Sequence, residues 1–63
     1  MLIKLVNEDN LPVLINPEEI ILVDEVITSD IERQSRIFLK GRMVVKTNIS
    51  IDELASLILK TQT

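Results

Sequence analysis

Ile49-Ser50-Ile51-Asp52-Glu53-Leu54-Ala55-Ser56-Leu57-Ile58-Leu59-Lys60 decides the fold, because its apolar residues recur at helical spacing. Ser50 stands at an N-cap position and Glu53 three residues later completes a capping box. Ile49 before the cap and Leu54 four residues after it form a hydrophobic staple. The spacing predicts a helix from Ile51 to Lys60 or Thr61. At about 100° per residue, Ile51, Leu54, Ala55 and Ile58 share a stripe, and Leu57 and Leu59 widen it on either side. The apolar arc reaches roughly 200°, where a surface helix usually shows a stripe of about 100°. Asp52, Glu53, Ser56 and Lys60 are left for water.

Working back toward the N-terminus, everything else reads as strand. Arg36 to Lys40 and Arg42 to Lys46 flank Gly41, the only glycine, where a tight turn needs positive φ. Ile37 and Leu39 would face inward, with Arg36, Phe38 and Lys40 outward. Thr28 to Ser35 is polar apart from Ile31 and reads as a mobile loop. Ile20 to Ile27 is a strand with apolar residues on both faces, Ile20, Leu22 and Val26 on one and Ile21, Val23 and Ile27 on the other. That is the pattern of a central strand covered on both sides. Asp24 and Glu25 break an otherwise aggregation-prone window. Asn16-Pro17-Glu18-Glu19 carries helix-start residues with no amphipathic run behind them, so a single helical or 3₁₀ turn is expected. Leu2 to Val6 and Leu11 to Ile15 flank the turn formers Asn7-Glu8-Asp9-Asn10 and make a first hairpin. Pro12 lacks an N–H, which places that strand at an edge. The whole chain, residues 1–63, is read as one domain. The expected class is α+β: a small antiparallel sheet of about five strands, two hairpins plus a central strand, with one C-terminal amphipathic helix.

Sixty-three residues make a small domain, yet ten Ile, nine Leu and six Val make 25 of its positions aliphatic. A chain this short buries only about 60% of the surface its unfolded form exposes. Hiding that much aliphatic surface in a monomer is difficult. The expectation is a homo-oligomer or an obligate protein partner, with Ile21, Val23, Leu57 and Leu59 at the interface.

The composition also excludes chemistry. There is no Cys, hence no disulfide framework or thiolate metal site, and no His to activate Ser29, Ser35, Ser50 or Ser56. One glycine builds no phosphate loop. The acids come as neighbours, Glu8-Asp9, Glu18-Glu19, Asp24-Glu25 and Asp52-Glu53. Neighbours in a strand point to opposite faces, so Asp24 and Glu25 are not a catalytic dyad. Glu18, Glu19, Asp52 and Glu53 sit where helix starts favour acids. Nothing in the spacing asks Asp24, Glu25 and Asp30 to hold a metal. No enzyme, cofactor, metal or small-molecule substrate is expected. The longest apolar run, Ile20-Ile21-Leu22-Val23, is far short of the about 20 residues a membrane span needs. Lys4 interrupts the apolar N-terminus and no small-residue cleavage site follows, against a secretory signal. The expected setting is the cytoplasm, or a particle assembled inside a cell.

Charge is unevenly distributed. Residues 1–32 hold eight acids and one base, Lys4; residues 33–63 hold six bases and two acids. Arg36, Lys40, Arg42 and Lys46, with Phe38 among them, can face outward on the second hairpin. These five residues are the candidate contacts for nucleic acid or an acidic partner. Against nucleic acid stand the single aromatic residue and the overall negative charge. The other reading is a solvated face, or one paired with the acidic half of the chain.

Asn16-Pro17-Glu18-Glu19-Ile20, then Ile37-Phe38-Leu39-Lys40-Gly41-Arg42-Met43-Val44-Val45-Lys46, then Asp52-Glu53-Leu54, resemble the flagellar FlbD/SwrD-like family of small proteins. The likeness spans nearly the whole chain. Asp9-Asn10 and Lys40-Gly41 stand where that family has Asn-Gly. It implies a non-enzymatic accessory protein of bacterial or phage setting. Glu19 to Leu59 also looks like part of the LytTR DNA-binding domain, which implies a transcriptional regulator contacting DNA through Arg36, Lys40, Arg42 and Lys46. Association as an accessory protein is the first expectation, nucleic-acid binding the second.

Overall fold

The chain runs β1 (Ile3–Val6), β2 (Pro12–Ile15), a 3₁₀ turn (Pro17–Glu19), β3 (Ile20–Ile27), β4 (Arg33–Leu39), β5 (Met43–Thr47) and α1 (Ile51–Thr61). This is a computed structural model, and it describes residues 1–61. The α+β class and the five strands with one C-terminal helix stand as read. The strands divide into two antiparallel sheets, β1–β2 and β3–β4–β5.

The first hairpin is held by its turn. The Asn7 side-chain oxygen accepts from the Asp9 and Leu11 N–H groups at 2.9 and 3.0 Å, and Asn10 takes a left-handed φ of 63°. Asparagine tolerates that conformation better than most residues. In β1, Ile3 and Leu5 point inward and Lys4 and Val6 outward, the alternation expected of a half-covered strand. The Asn16 side chain then caps the 3₁₀ turn at the Glu18 N–H, 3.0 Å away.

β3 has the predicted bounds but not the predicted place. β4 is the central strand, and β3 lies at the edge of its sheet. A register irregularity between Ile20 and Leu22 puts Ile21 out of step. Ile20 and Val23 therefore both pack against the core, although they are an odd number of residues apart. Such a bulge leaves one residue unpaired and shifts the alternation by one. The apolar residues on β3's second face are consequently exposed, not covered: Ile21 is 66% and Leu22 55% accessible. The expected polar loop is also shorter than read, because Arg33, Gln34 and Ser35 pair with Ile27, Val26 and Glu25.

The capping residue works as expected: Ser50 Oγ accepts from the Glu53 N–H at 3.2 Å. The first helical N–H, that of Ile51, turns to Glu25 of β3 at 3.3 Å. The helix buries Leu54 completely, with Ile51, Leu57 and Ile58 half-buried. Ala55 and Leu59 are exposed, so the buried face is rotated toward Leu57 and is narrower than the apolar arc.

Among the described residues the fully committed apolar core is Ile3, Leu5, Ile15, Ile37 and Leu54, with Val13, Ile20, Val23, Leu39, Val45, Ile49, Leu57 and Ile58 packed against it. Accessible surface totals 4765 Å². A compact monomer of 7.2 kDa is expected to show about 4100 Å².

Two substitutions test this packing. Ile37→Ala should cost about 2–5 kcal/mol, as deletion of a fully buried aliphatic side chain does. Ser50→Ala should cost about 1 kcal/mol, lowering the melting temperature by about 4–8 °C in a domain of this size. Thermal and urea unfolding followed by circular dichroism measure both.

Candidate functional site

The register of β3–β4–β5 lines up three rows of side chains on the face turned away from the core. Leu22 lies opposite Phe38, and Phe38 opposite Val44. The next row is Asp24, Arg36 and Lys46, and the third is Val26 and Gln34. Residues directly opposite in antiparallel strands share a face, so the first row is a continuous apolar stripe across the sheet. Leu22 and Val44 are about half accessible, at 55% and 48%.

The charged row is mostly satisfied from within. Arg36 Nε donates to Asp24 Oδ1 at 2.8 Å, and its Nη2 donates to Oδ2 of the same carboxylate. The guanidinium also lies 5.2 Å from the centroid of the Phe38 ring, within cation–π range. Hydrogen bonding from Arg36 holds the Asp24 carboxyl below its ordinary value, with the guanidinium charge a smaller contribution and desolvation opposing. The Arg36 guanidinium is raised by the same partner. A second ion pair joins Arg33 and Glu25 at 3.3 Å, and Gln34 donates to Glu8 at 3.1 Å. The basic half of the chain is thus partly matched by the acidic half.

Lys40 and Arg42 flank Gly41 in the turn joining β4 and β5. Gly41 and Arg42 have φ of +83° and +63°. The Lys40 N–H donates to the Glu19 carbonyl at 2.9 Å, tying this turn to the 3₁₀ segment. Arg36, Phe38 and Lys46 therefore share the outer face, while Lys40 and Arg42 stand at its end. Of the residues expected at an interface, Val23 and Leu57 are half-buried against the core. Ile21 remains exposed on β3, and Leu59 on α1. Leu22 and Val44 belong to the apolar surface but were not singled out from the sequence. Their alignment with Phe38 depends on strand register, which local composition does not carry.

Two concavities lie elsewhere. A groove of about 530 Å³ between β1 and α1 is lined by Lys4, Leu5, Val6, Ile49, Glu53, Ser56, Leu57 and Lys60. A polar depression of about 480 Å³ surrounds Thr28, Ile31, Glu32, Arg33, Gln34 and Asn48. Among the described residues, no group of three His, Cys, Asp or Glu could hold a metal ion. No helix among them is long and apolar enough to cross a membrane. Comparison with protein-family models, with curated proteins and with solved structures finds no match for this chain.

The Asp24–Arg36 pair makes a pH prediction with a defined sign. A carboxyl lowered in the folded state contributes stability above its unfolded value, and that contribution is lost as pH falls through the folded value. Wild type should therefore exceed Asp24→Asn in stability at neutral pH, with the gap closing as the medium is acidified through the carboxylate range. Urea unfolding of both proteins across that range measures it; a gap independent of pH contradicts the assignment.

Proposed function

We propose that this chain is a non-enzymatic accessory protein that acts by associating, with itself in the first place, inside a larger assembly. The supporting observation is the imbalance between apolar content and core. Only five aliphatic side chains are buried among the described residues, while Leu22, Val44, Ile21, Leu14, Leu11 and Leu59 remain largely exposed. The 4765 Å² of accessible surface exceeds the monomer expectation by about 650 Å². Exposed apolar surface concentrated in patches is the mark of association surfaces. The sequence resemblance to the flagellar FlbD/SwrD-like proteins supplies the setting of this proposal, a bacterial or phage assembly built in the cytoplasm.

Nucleic-acid binding through the basic hairpin remains the competing reading. Arg36 is engaged by Asp24 and lies over Phe38, which leaves Lys40, Arg42 and Lys46 as its contacts. Phosphate contacts made by these few cations would weaken steeply with salt.

Two measurements separate the readings. Sedimentation equilibrium from micromolar to millimolar protein should give an average mass above that of the 7.2 kDa chain, rising with concentration. A strictly monomeric protein removes the proposal. Electrophoretic mobility shifts with single- and double-stranded DNA at low salt should show no binding; a salt-sensitive shift transfers the function to the basic hairpin.

A further inference from the structure

β1 and α1 leave a groove of about 530 Å³ between them, a size usual for a ligand cleft. One wall is the edge of β1 that β2 does not use. The other is the α1 face carrying Glu53, Ser56 and Leu57, residues three and four apart that share one side of a helix. Leu5, Ile49 and Leu57 give the groove its apolar lining. The hairpin register fixes which backbone groups of β1 look toward it. The Asn7 N–H donates to the Leu11 carbonyl at 2.9 Å, so these two are a hydrogen-bonded pair. In an antiparallel ladder such pairs alternate with pairs that exchange no bonds. Lys4 opposite Leu14 and Val6 opposite Pro12 are of the second kind, with N–H and C=O turned away from β2. Thr47 bears this out, because its Oγ1 donates to the Val6 carbonyl from outside the hairpin at 2.8 Å. Among the described residues, no bond reaches the Lys4 N–H, the Lys4 carbonyl or the Val6 N–H.

We infer that this groove holds an extended peptide segment of a partner protein, which adds to β1 as a third strand of the first sheet. This keeps the reading of an associating, non-enzymatic protein and goes beyond self-association. The backbone sets the kind of occupant. A free N–H and C=O on one strand residue are met by an extended chain, and strand addition at an open edge is a recurrent mode of peptide capture. A helix spends its own N–H and C=O groups internally and has none to offer along its sides. A second copy of this chain fits less well. Pro12 at the start of its β2 has no N–H. Its β3, an open edge, has Asp24 and Glu25 already engaged by Arg36 and Arg33.

An unengaged acid matters because of Lys4. Antiparallel addition lets one peptide residue exchange both bonds with Lys4. Residues directly opposite share a face, so that residue's side chain lies beside Lys4 on the exposed side of β1. Lys4 has no ion pair among the described residues, and an acid at that position completes one. The peptide residues before and after it point the other way, beside Leu5 and toward Ile49 and Leu57. Aliphatic side chains fit there, and Glu53 on the helical wall disfavours further acids. The segment recognised is therefore aliphatic, acidic, aliphatic. It is also short. Thr47 already takes the Val6 carbonyl and bridges Asn7, which ends the added strand at that point. At about 3.3 Å per residue, β1 offers about 13 Å, the span of a short peptide.

The probe is an end-capped peptide with a glutamate between two valines and threonines outside them. It is titrated into the isotope-labelled full chain and followed by amide NMR shifts. Binding should be saturable and should move the amides of Lys4, Val6, Ser56 and Leu57 most. Methylating the peptide's glutamate nitrogen removes the donor to the Lys4 carbonyl, keeps every side chain, and should weaken binding at least tenfold. Lys4→Glu should weaken it several-fold, and a lysine-centred peptide should restore it. Ser56→Phe should abolish binding by filling the groove, with circular dichroism confirming its fold; if it misfolds, Lys4→Glu and the methylated peptide decide. No saturable binding at millimolar peptide overturns the assignment, as does equal binding of the methylated peptide or a response centred on Leu22 and Val44. Sedimentation equilibrium reads self-association separately. A monomer that binds the peptide overturns that reading alone, and an oligomer that does not bind overturns this one alone. An oligomer that Ser56→Phe dissociates makes a second copy the occupant and overturns the separate partner.

Discussion

A single buried pair of hydroxyls holds this protein's parts together. Ser35 of β4 and Thr47 of β5 lie opposite one another and have no accessible surface. Thr47 Oγ1 donates to the Val6 carbonyl at 2.8 Å and so fastens the first hairpin to the three-stranded sheet. Ser35 Oγ donates to the Ile49 carbonyl at 2.8 Å and so fixes the chain just before the helix. An unpaired hydroxyl at either place would carry a desolvation penalty, so each bond is close to obligatory. Backbone contacts reinforce the first junction: Asn7 bridges Thr47, and the Glu8 N–H donates to the Lys46 carbonyl at 3.0 Å. Two sheets with no continuous ladder between them thereby share one core.

That junction explains why the core stays small. The hairpin, the sheet and the helix each contribute one apolar face, and those faces meet around Ile37 and Leu54. Among the described residues the one helix packs on one face of the larger sheet, and Leu22 and Val44 on the other stay exposed. The aliphatic surplus evident in the composition is therefore a consequence of architecture. It collects where covering elements run out: on the outer sheet face, on the outside of the first hairpin at Leu14, and at Leu59.

Local signals carried the helix start at Ser50, the 3₁₀ turn at Asn16-Pro17, both hairpins and the inward direction of Ile37, because each rests on neighbours in sequence. The position of β3 was not legible. Apolar residues on both sides of a strand suit either a covered central strand or an edge strand awaiting a partner, and periodicity does not distinguish them. The bulge at Ile21 and the reach of Glu25 to the helix start depend on contacts between residues distant in sequence. The candidate surface was half legible for the same reason. Phe38 stood out as a lone aromatic among bases, but Leu22 and Val44 join it only once register is set.

The bulge makes β3 a strand read in two frames. Its first residue is in phase with the core by one count and the remainder by another, with Ile21 as the spare position between them. Losing one residue at 20–22 would not simply shorten the strand. It would restore strict alternation, with Ile20 and Val23 two positions apart and facing the core without a bulge. At their actual spacing both face the core because Ile21 is left out of the ladder. The extra residue works like a reading-frame insertion whose shift the bulge absorbs, and its visible product is Ile21, an apolar side chain set out at the sheet edge.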